Sequence, residues 1–169
     1  MKTILETNRL LLRQFEISDA DSFYELNLNP NVIKYTGNSA FKDIDEAKEF
    51  LENYSDYRRN GFGRWAVIEK STNQFLGWCG LKYDEKLDET DIGFRFFEHF
   101  WNQGFATESA KACIDYGFKE LKLKTIVGRA MKENLASIKV LEKIGLQYDR
   151  DFDFEGKEGV IYRIENIKS

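Results

Sequence analysis

Apolar positions along this chain fall into short runs and helically spaced stripes, separated by polar breaks. Arg9-Leu10-Leu11-Leu12-Arg13-Gln14-Phe15 is an apolar run bounded by polar residues and predicts a first strand. Ser18 is suited to an N-cap, Asp19 and Asp21 enrich the turn that follows, and Phe23, Leu26 and Leu28 keep roughly helical spacing. Asn29-Pro30-Asn31 stops that helix, because a proline drives the residue before it out of the helical region. Asp43 or Asp45 starts another, whose stripe of Ala47, Phe50, Leu51, Tyr54 and Tyr57 runs on to Asn60-Gly61.

The second half alternates strands with two longer helices. Trp65-Ala66-Val67-Ile68 and the run 75–81 flank Ser71-Thr72-Asn73 and predict a hairpin. Asp91-Ile92-Gly93-Phe94-Arg95-Phe96 is a further strand. A helix over about 105–121 turns Ala106, Ala110, Cys113, Ile114 and Phe118 inward. Thr125-Ile126-Val127-Gly128-Arg129-Ala130 is a strand, and Asn134 opens a helix carrying Ile138, Leu141 and Ile144 that Gly145 closes. The runs 147–154 and 160–167 form a last hairpin around Glu155-Gly156. Strands joined by two central helices predict an α+β or mixed α/β domain.

Composition narrows this further. The 169 residues suit one domain, 1–169, and 42% hydrophobic with 15% aromatic residues supply a core that a disordered chain lacks. Pro30 is the single proline and nothing reads as a linker. No long apolar run follows Met1, and no stretch of about 20 apolar residues occurs, so neither a signal peptide nor a membrane span is expected. Cys79 and Cys113 lie in apolar surroundings and read as buried free thiols of a cytoplasmic protein. One histidine and two separated cysteines do not make a zinc site, so no metal is expected. The net charge of −4, with basic residues scattered among acids, disfavours nucleic acid and hints at a cationic partner such as an amine.

The chemically informative stretch is His99-Phe100-Trp101-Asn102-Gln103-Gly104-Phe105-Ala106-Thr107-Glu108, where a strand gives way to a helix through small residues. Backbone N–H groups at a helix start form an anion site, and Gly104 permits close approach of a phosphate. Neither G-x-x-x-x-G-K-[ST] nor G-x-G-x-x-G occurs, which disfavours nucleoside triphosphates and dinucleotides and leaves the pyrophosphate of coenzyme A.

These residues resemble the GNAT acetyltransferases. Gly104 and Ala106 match the last fixed positions of the phosphate-loop pattern [Q/R]-x-x-G-x-[G/A]; Trp101 departs from its first but is similar to the W-x-x-G-[YF]-A-T-E form of the RimJ/RimL-like branch. Residues 134–146 resemble that branch's N-x-x-S-x-x-x-L-E-K-x-G-[FL] helix. Thr7-Asn8-Arg9-Leu10-Leu11-Leu12-Arg13, Asp19-Ala20 and Pro30-Asn31-Val32 resemble its opening. The match spans nearly the whole chain, in order.

The resemblance implies a GNAT fold: a twisted, mixed but mostly antiparallel sheet flanked by helices, with a V-shaped splay between its fourth and fifth strands. It implies an N-acetyltransferase in which a primary amine, a peptide N-terminus or a small molecule, attacks acetyl-CoA directly in a ternary complex. The pantetheine arm would pair with the backbone of Phe94, Arg95 and Phe96. Amides from Asn102 through Gln103, Gly104, Phe105 and Ala106 to Thr107 would hold the pyrophosphate. Asn134 would bond the pantetheine arm, though an asparagine there is also an ordinary N-cap. Asp91 is the candidate general base, or a solvated strand residue beside Glu89. Ser137 is the candidate donor to the departing thiolate, or an ordinary residue of a helix start. The tyrosine that many relatives place for that role is Leu141 here, but a thiol of pKa about 8.5 leaves without much help. Where some relatives that acetylate protein N-termini carry a catalytic glutamate, this chain has Arg129. Asp149, Asp151, Asp153 and Glu155 either receive a cationic acceptor or are solvated hairpin charge. The alternative to an enzyme is a GNAT domain that binds acyl-CoA as a sensor or scaffold. Exposed edges in the last hairpin leave monomer and homodimer both open.

Overall fold

The computed structural model describes residues 2–167. In chain order its strands are β1 (Thr3–Glu6), β2 (Leu10–Arg13), β3 (Arg64–Glu69), β4 (Phe75–Asp84), β5 (Glu89–Phe96), β6 (Thr125–Met131), β7 (Gln147–Phe154) and β8 (Lys157–Glu165). Its helices are α1 (Ala20–Leu28), α2 (Pro30–Ile33), α3 (Ile44–Glu52), α4 (Asp56–Asn60), α5 (Phe105–Lys119) and α6 (Leu135–Lys143). The strands make one sheet in the order β1-β2-β3-β4-β5-β6-β8-β7. Every neighbouring pair is antiparallel except β5 and β6, which run parallel and touch at a single register, Asp91 opposite Val127. The expected splay is this gap. It falls one strand later in the count because β1, a short and largely exposed edge strand without apolar alternation, adds to the front of the sheet.

One face of the sheet is covered by α5. Cys79, Leu81, Ile92 and Phe96 meet Ala110, Cys113 and Ile114 there, all buried. Removing such side chains from water contributes about 1.5–3 kcal/mol for each large one. Cys79 and Cys113 are buried and free as expected, and they also touch, Sγ to Sγ 3.8 Å. The opposite face carries α1 and α3, where Ala20, Phe23, Ala47 and Leu51 form a second cluster with Phe15, Phe75 and Trp78. No helix among the described residues is long and apolar enough to cross a membrane.

Three local expectations are corrected. The stripe from 43 to 60 is not one helix: α3 stops at Glu52 and α4 starts at Asp56. The reason lies in two hydroxyls. Tyr54 Oη accepts the Arg64 N–H (2.8 Å), and Tyr57 Oη donates to the Arg64 carbonyl (2.5 Å) while accepting from the Phe15 N–H (3.0 Å). Burial pushes both phenols above their usual range, so they stay protonated. At the first helix, a 3₁₀ turn at Ile17–Asp19 precedes α1 and is capped by Glu16 rather than Ser18. Asp19 is buried there and holds Arg13 through two 2.8 Å bonds. Pro30 ends α1 but also opens α2, at a position where its missing N–H costs nothing.

Candidate active site

The turn into α5 is built to receive an anion. Asn102 and Gly104 both have positive φ, +62° and +81°, and Gly104 is the N-cap with no side chain closing the helix. The N–H groups of Phe105, Ala106 and Thr107 therefore lack helical acceptors and point outward at the positive end of a 15-residue helix. The loop is tied back on both sides. Trp101 Nε1 donates to the Phe96 carbonyl (2.9 Å), and Gln103 Nε2 donates to the His99 carbonyl (3.0 Å).

A cation flanks this turn that sequence reasoning missed. Glu108 accepts from the Thr7 hydroxyl (2.6 Å), the Arg9 N–H (3.0 Å) and Arg9 Nε (2.7 Å). Arg9 Nη1 then reaches the Gln103 carbonyl (3.0 Å), with the guanidinium 4.3 Å above the Phe105 ring. Burial opposes the Glu108 charge, but these hydrogen bonds outweigh it and hold the carboxyl below its usual range. A Cβ on Gly104 would stand 3.3 Å from Arg9 Nη2, so loop and cation are in contact. Thr7-Asn8-Arg9 and Ala106-Thr107-Glu108 are thus two halves of one clamp.

The cleft opens beside this loop. Past Asp91 no strand among the described residues pairs with β5 on the β6 side, so the backbone edge through Phe94, Arg95 and Phe96 is free there, apart from the Phe96 carbonyl that Trp101 uses. The start of α6 borders the cleft. Asn134 is its N-cap, Oδ1 accepting the Ser137 N–H at 3.3 Å, and its amide nitrogen has no partner among the described residues. Ser137, half-buried, has a hydroxyl likewise without a partner among them.

A cavity of about 450 Å³ lies on the sheet face opposite α5 and reaches Asn134 and Ser137. Its walls include Phe23, Phe50, Tyr54 and Phe154, and its floor is Trp78, Asp91, Gly93 and Arg95. Gly93 is small for a reason: a Cβ there would stand 2.6 Å from the Arg64 guanidinium, which lies flat across the strand. Arg64 Nη1 donates to the carbonyls of Gly80 (2.7 Å) and Asp91 (3.1 Å). Its Nη2 is in ion-pair contact with Asp91 Oδ1 at 2.7 Å, off the ideal hydrogen-bond direction. Asp91 Oδ2 accepts from Arg129 Nη1 (2.5 Å). Arg129 Nη2 reaches Glu89 (2.7 Å), whose other oxygen takes Arg150 (2.7 Å). Asp91 is therefore not a solvated strand residue but the centre of a two-arginine clamp.

Arg95 enters the site through its side chain as well as its backbone. Nη1 donates to Asn27 Oδ1 (2.7 Å) and Nη2 to Asn38 Oδ1 (2.8 Å), with the guanidinium over Trp78. The acids at 149, 151, 153 and 155 are exposed on β7 and its turn and do not line the cavity. Asp149 pairs with Arg150, Asp151 with Tyr148, and Asp153 holds the turn at Gly156. A larger hollow of about 600 Å³ opens near Tyr83, Leu87 and Leu123, but it includes nothing from the loop at 102–107 or from α6.

Comparison with known proteins places the chain in one family. The acetyltransferase (GNAT) domain pattern fits residues 9–147. The uncharacterized N-acetyltransferase p20 of Bacillus licheniformis is 32% identical, over 97% of this chain and 88% of its own. A crystal structure of a GNAT-family acetyltransferase from Bacillus anthracis superposes with a TM-score of 0.83 at 27% identity, covering 96% of this chain and 98% of that one. RimL, a ribosomal L7/L12 α-N-protein acetyltransferase solved with coenzyme A, shares the fold with a TM-score of 0.81 at 15% identity, over 97% and 98% of the two chains.

Proposed function

Since this chain belongs to the GNAT family of N-acetyltransferases, we propose that it transfers the acetyl group of acetyl-CoA to a primary amine by direct attack in a ternary complex. The observation that carries this reading is the meeting of an uncapped helix start and an unpaired strand edge at one cleft. Backbone amides from Asn102 to Thr107 take the pyrophosphate, with Arg9 beside them as a supporting charge. The free edge of Phe94, Arg95 and Phe96 pairs with the pantetheine arm as an added strand. Asn134, whose oxygen caps α6, donates from its nitrogen to the arm. When bound, acetyl-CoA supplies a thioester open to an uncharged amine. N–H groups on the cleft side of β5 steady the oxyanion, and the hydroxyl of Ser137, which lines the cavity, donates to the departing sulfur.

Asp91 acts here by positioning Arg64 and Arg129 rather than by taking the amine proton. The proton then leaves through water, which favours acceptors that lose it readily. An α-amine of pKa near 8 costs about 1 kcal/mol to neutralise at pH 7, an alkylamine of pKa about 10.4 nearer 4–5 kcal/mol. Two measurements test the reading: calorimetry with acetyl-CoA, and thiol release with a panel of amines. Gly104→Glu should abolish acetyl-CoA binding in a folded protein, because a carboxylate would enter the anion site. Unchanged affinity in that variant would remove the loop from coenzyme binding.

A further inference from the structure

The cavity beside the cleft is cationic, and two of its cations, Arg95 and the exposed Lys82, have no carboxylate partner among the described residues. Arg64, Lys82, Arg95 and Arg129 line it, against Asp91 as the only carboxylate in its lining among the described residues. Arg64 and Arg129 share Asp91, and Glu89 stands behind Arg129. Arg95 has no carboxylate at all among the described residues. Its two contacts are the neutral side-chain oxygens of Asn27 and Asn38, and its face rests on Trp78. An arginine offers five N–H donors, so three remain.

Holding a cation this way is unfavourable in the free protein. Burial, then the nearby Arg64 charge, lowers the Arg95 pKa to about 10, far below an ordinary guanidinium. The surrounding contacts nevertheless fix it. Asn27 is buried on α1, and the Arg95 position on β5 sits opposite Trp78 of β4. A guanidinium that is oriented, partly buried and short of a counter-ion can receive an anion. Residue alternation on β5 turns Arg95 to the same face as Asp91, away from Phe94 and Phe96, and so to the side where an acceptor would enter.

We propose that the amine acceptor carries an anionic group, a carboxylate or phosphate on the same small molecule, which docks on Arg95 while the aromatic wall of Phe23, Phe50 and Tyr54 takes its apolar part. The proposal rests on the transferase reading above and names its substrate class. It also reverses the expectation, drawn from the overall charge, of a cationic acceptor: a polyamine would meet like charge here.

The test compares acceptors of one carbon skeleton, namely a free amino acid, its amide and the matching aminoalkyl phosphate, together with spermidine. Thiol release should show kcat/KM for the anionic acceptors about 10- to 100-fold above the amide, the usual reach of a charge-assisted hydrogen bond. Arg95→Met should erase that preference, raising KM about 10- to 100-fold for the anionic acceptors and far less for the amide, since the backbone at 95 that faces the coenzyme is kept. Preference for the amide or spermidine overturns the proposal. So does loss of coenzyme affinity in Arg95→Met, which would assign the cation to acetyl-CoA. A binding arm covers the case in which no panel member is turned over. Melting temperature is followed against sodium sulfate and sodium chloride at matched ionic strength. The turn into α5 can take sulfate in both proteins, so a saturable sulfate-specific rise that is larger in the wild type than in Arg95→Met supports the Arg95 site, and identical responses overturn it. Failure of the wild type to bind acetyl-CoA is a separate result that sinks the transferase reading and leaves the sulfate comparison to judge Arg95.

Discussion

Replacing Asp91 by asparagine separates a positioning role from catalysis by a base. The side chain is 15% exposed, and its partners Arg64 and Arg129 are 16% and 14% exposed, so the clamp lies nearer the buried limit than the surface one. Stripping one partner from a buried pair costs about 3–5 kcal/mol, whereas exposed pairs are worth about 0–1. Asparagine keeps one acceptor oxygen, which reduces the loss to about 2–3 kcal/mol. For a domain of this size that lowers Tm by roughly 4–12 °C. Calorimetric or circular-dichroism melting reads this directly, and adding Arg64→Met to Asp91→Asn should recover part of the loss, since one orphaned cation goes with it. In the pH–rate profile, turnover of the variant should fall by a factor that stays constant with pH. A base would behave differently: about 100-fold lower turnover with an intact Tm, and a deficit that shrinks as pH nears the acceptor's own pKa. That pattern would refute the clamp and restore Asp91 as the proton acceptor.

Two further outcomes are expected. Asn134→Ala should lower Tm by about 2–4 °C through loss of a cap worth about 1 kcal/mol and raise the acetyl-CoA Kd by about 5- to 30-fold through loss of the amide donor, so a Tm loss with unaltered Kd would leave Asn134 as a cap alone. Glu108 has its folded-state pKa held below the unfolded value of about 4.3, so it stabilises the fold above that pH and gives the stability up as pH falls through the lower folded value. Melting curves of Glu108→Gln should lie below wild type at pH 7 and converge with it in acid, and parallel curves would discount the clamp.

How much of this was legible in the sequence follows the range of each interaction. The turn into α5 and the α6 cap are contiguous, and so are readable from residue order alone. Arg64 and Asp91 are 27 residues apart, Arg129 and Asp91 38, and Arg9 and Glu108 99. No local periodicity says which strands will be neighbours, so the partners of Asp91 and Glu108 were out of reach. Tyr54 and Tyr57 fit an apolar stripe by spacing, but a buried hydroxyl needs a partner, and the Arg64 backbone supplied one by breaking the helix. The same bonds fix the start of β3 and so aim the Arg64 side chain across Gly93.

Arg95 did carry a signal. On a strand whose Phe94 and Phe96 face one way, an arginine between them faces the other, and a charge held against a half-buried sheet needs a purpose. The net charge of −4 concealed it. That total sums an outer hairpin where Asp149, Asp151, Asp153 and Glu155 stand in solvent with an inner face where four cations line one cavity. Solvent and salt screen the first group within about 10 Å, whereas charges walled by Trp78, Phe23 and Phe50 act through a medium that screens far less. An acceptor therefore meets the sign of the cavity rather than the sign of the protein, and for this chain the two are opposite.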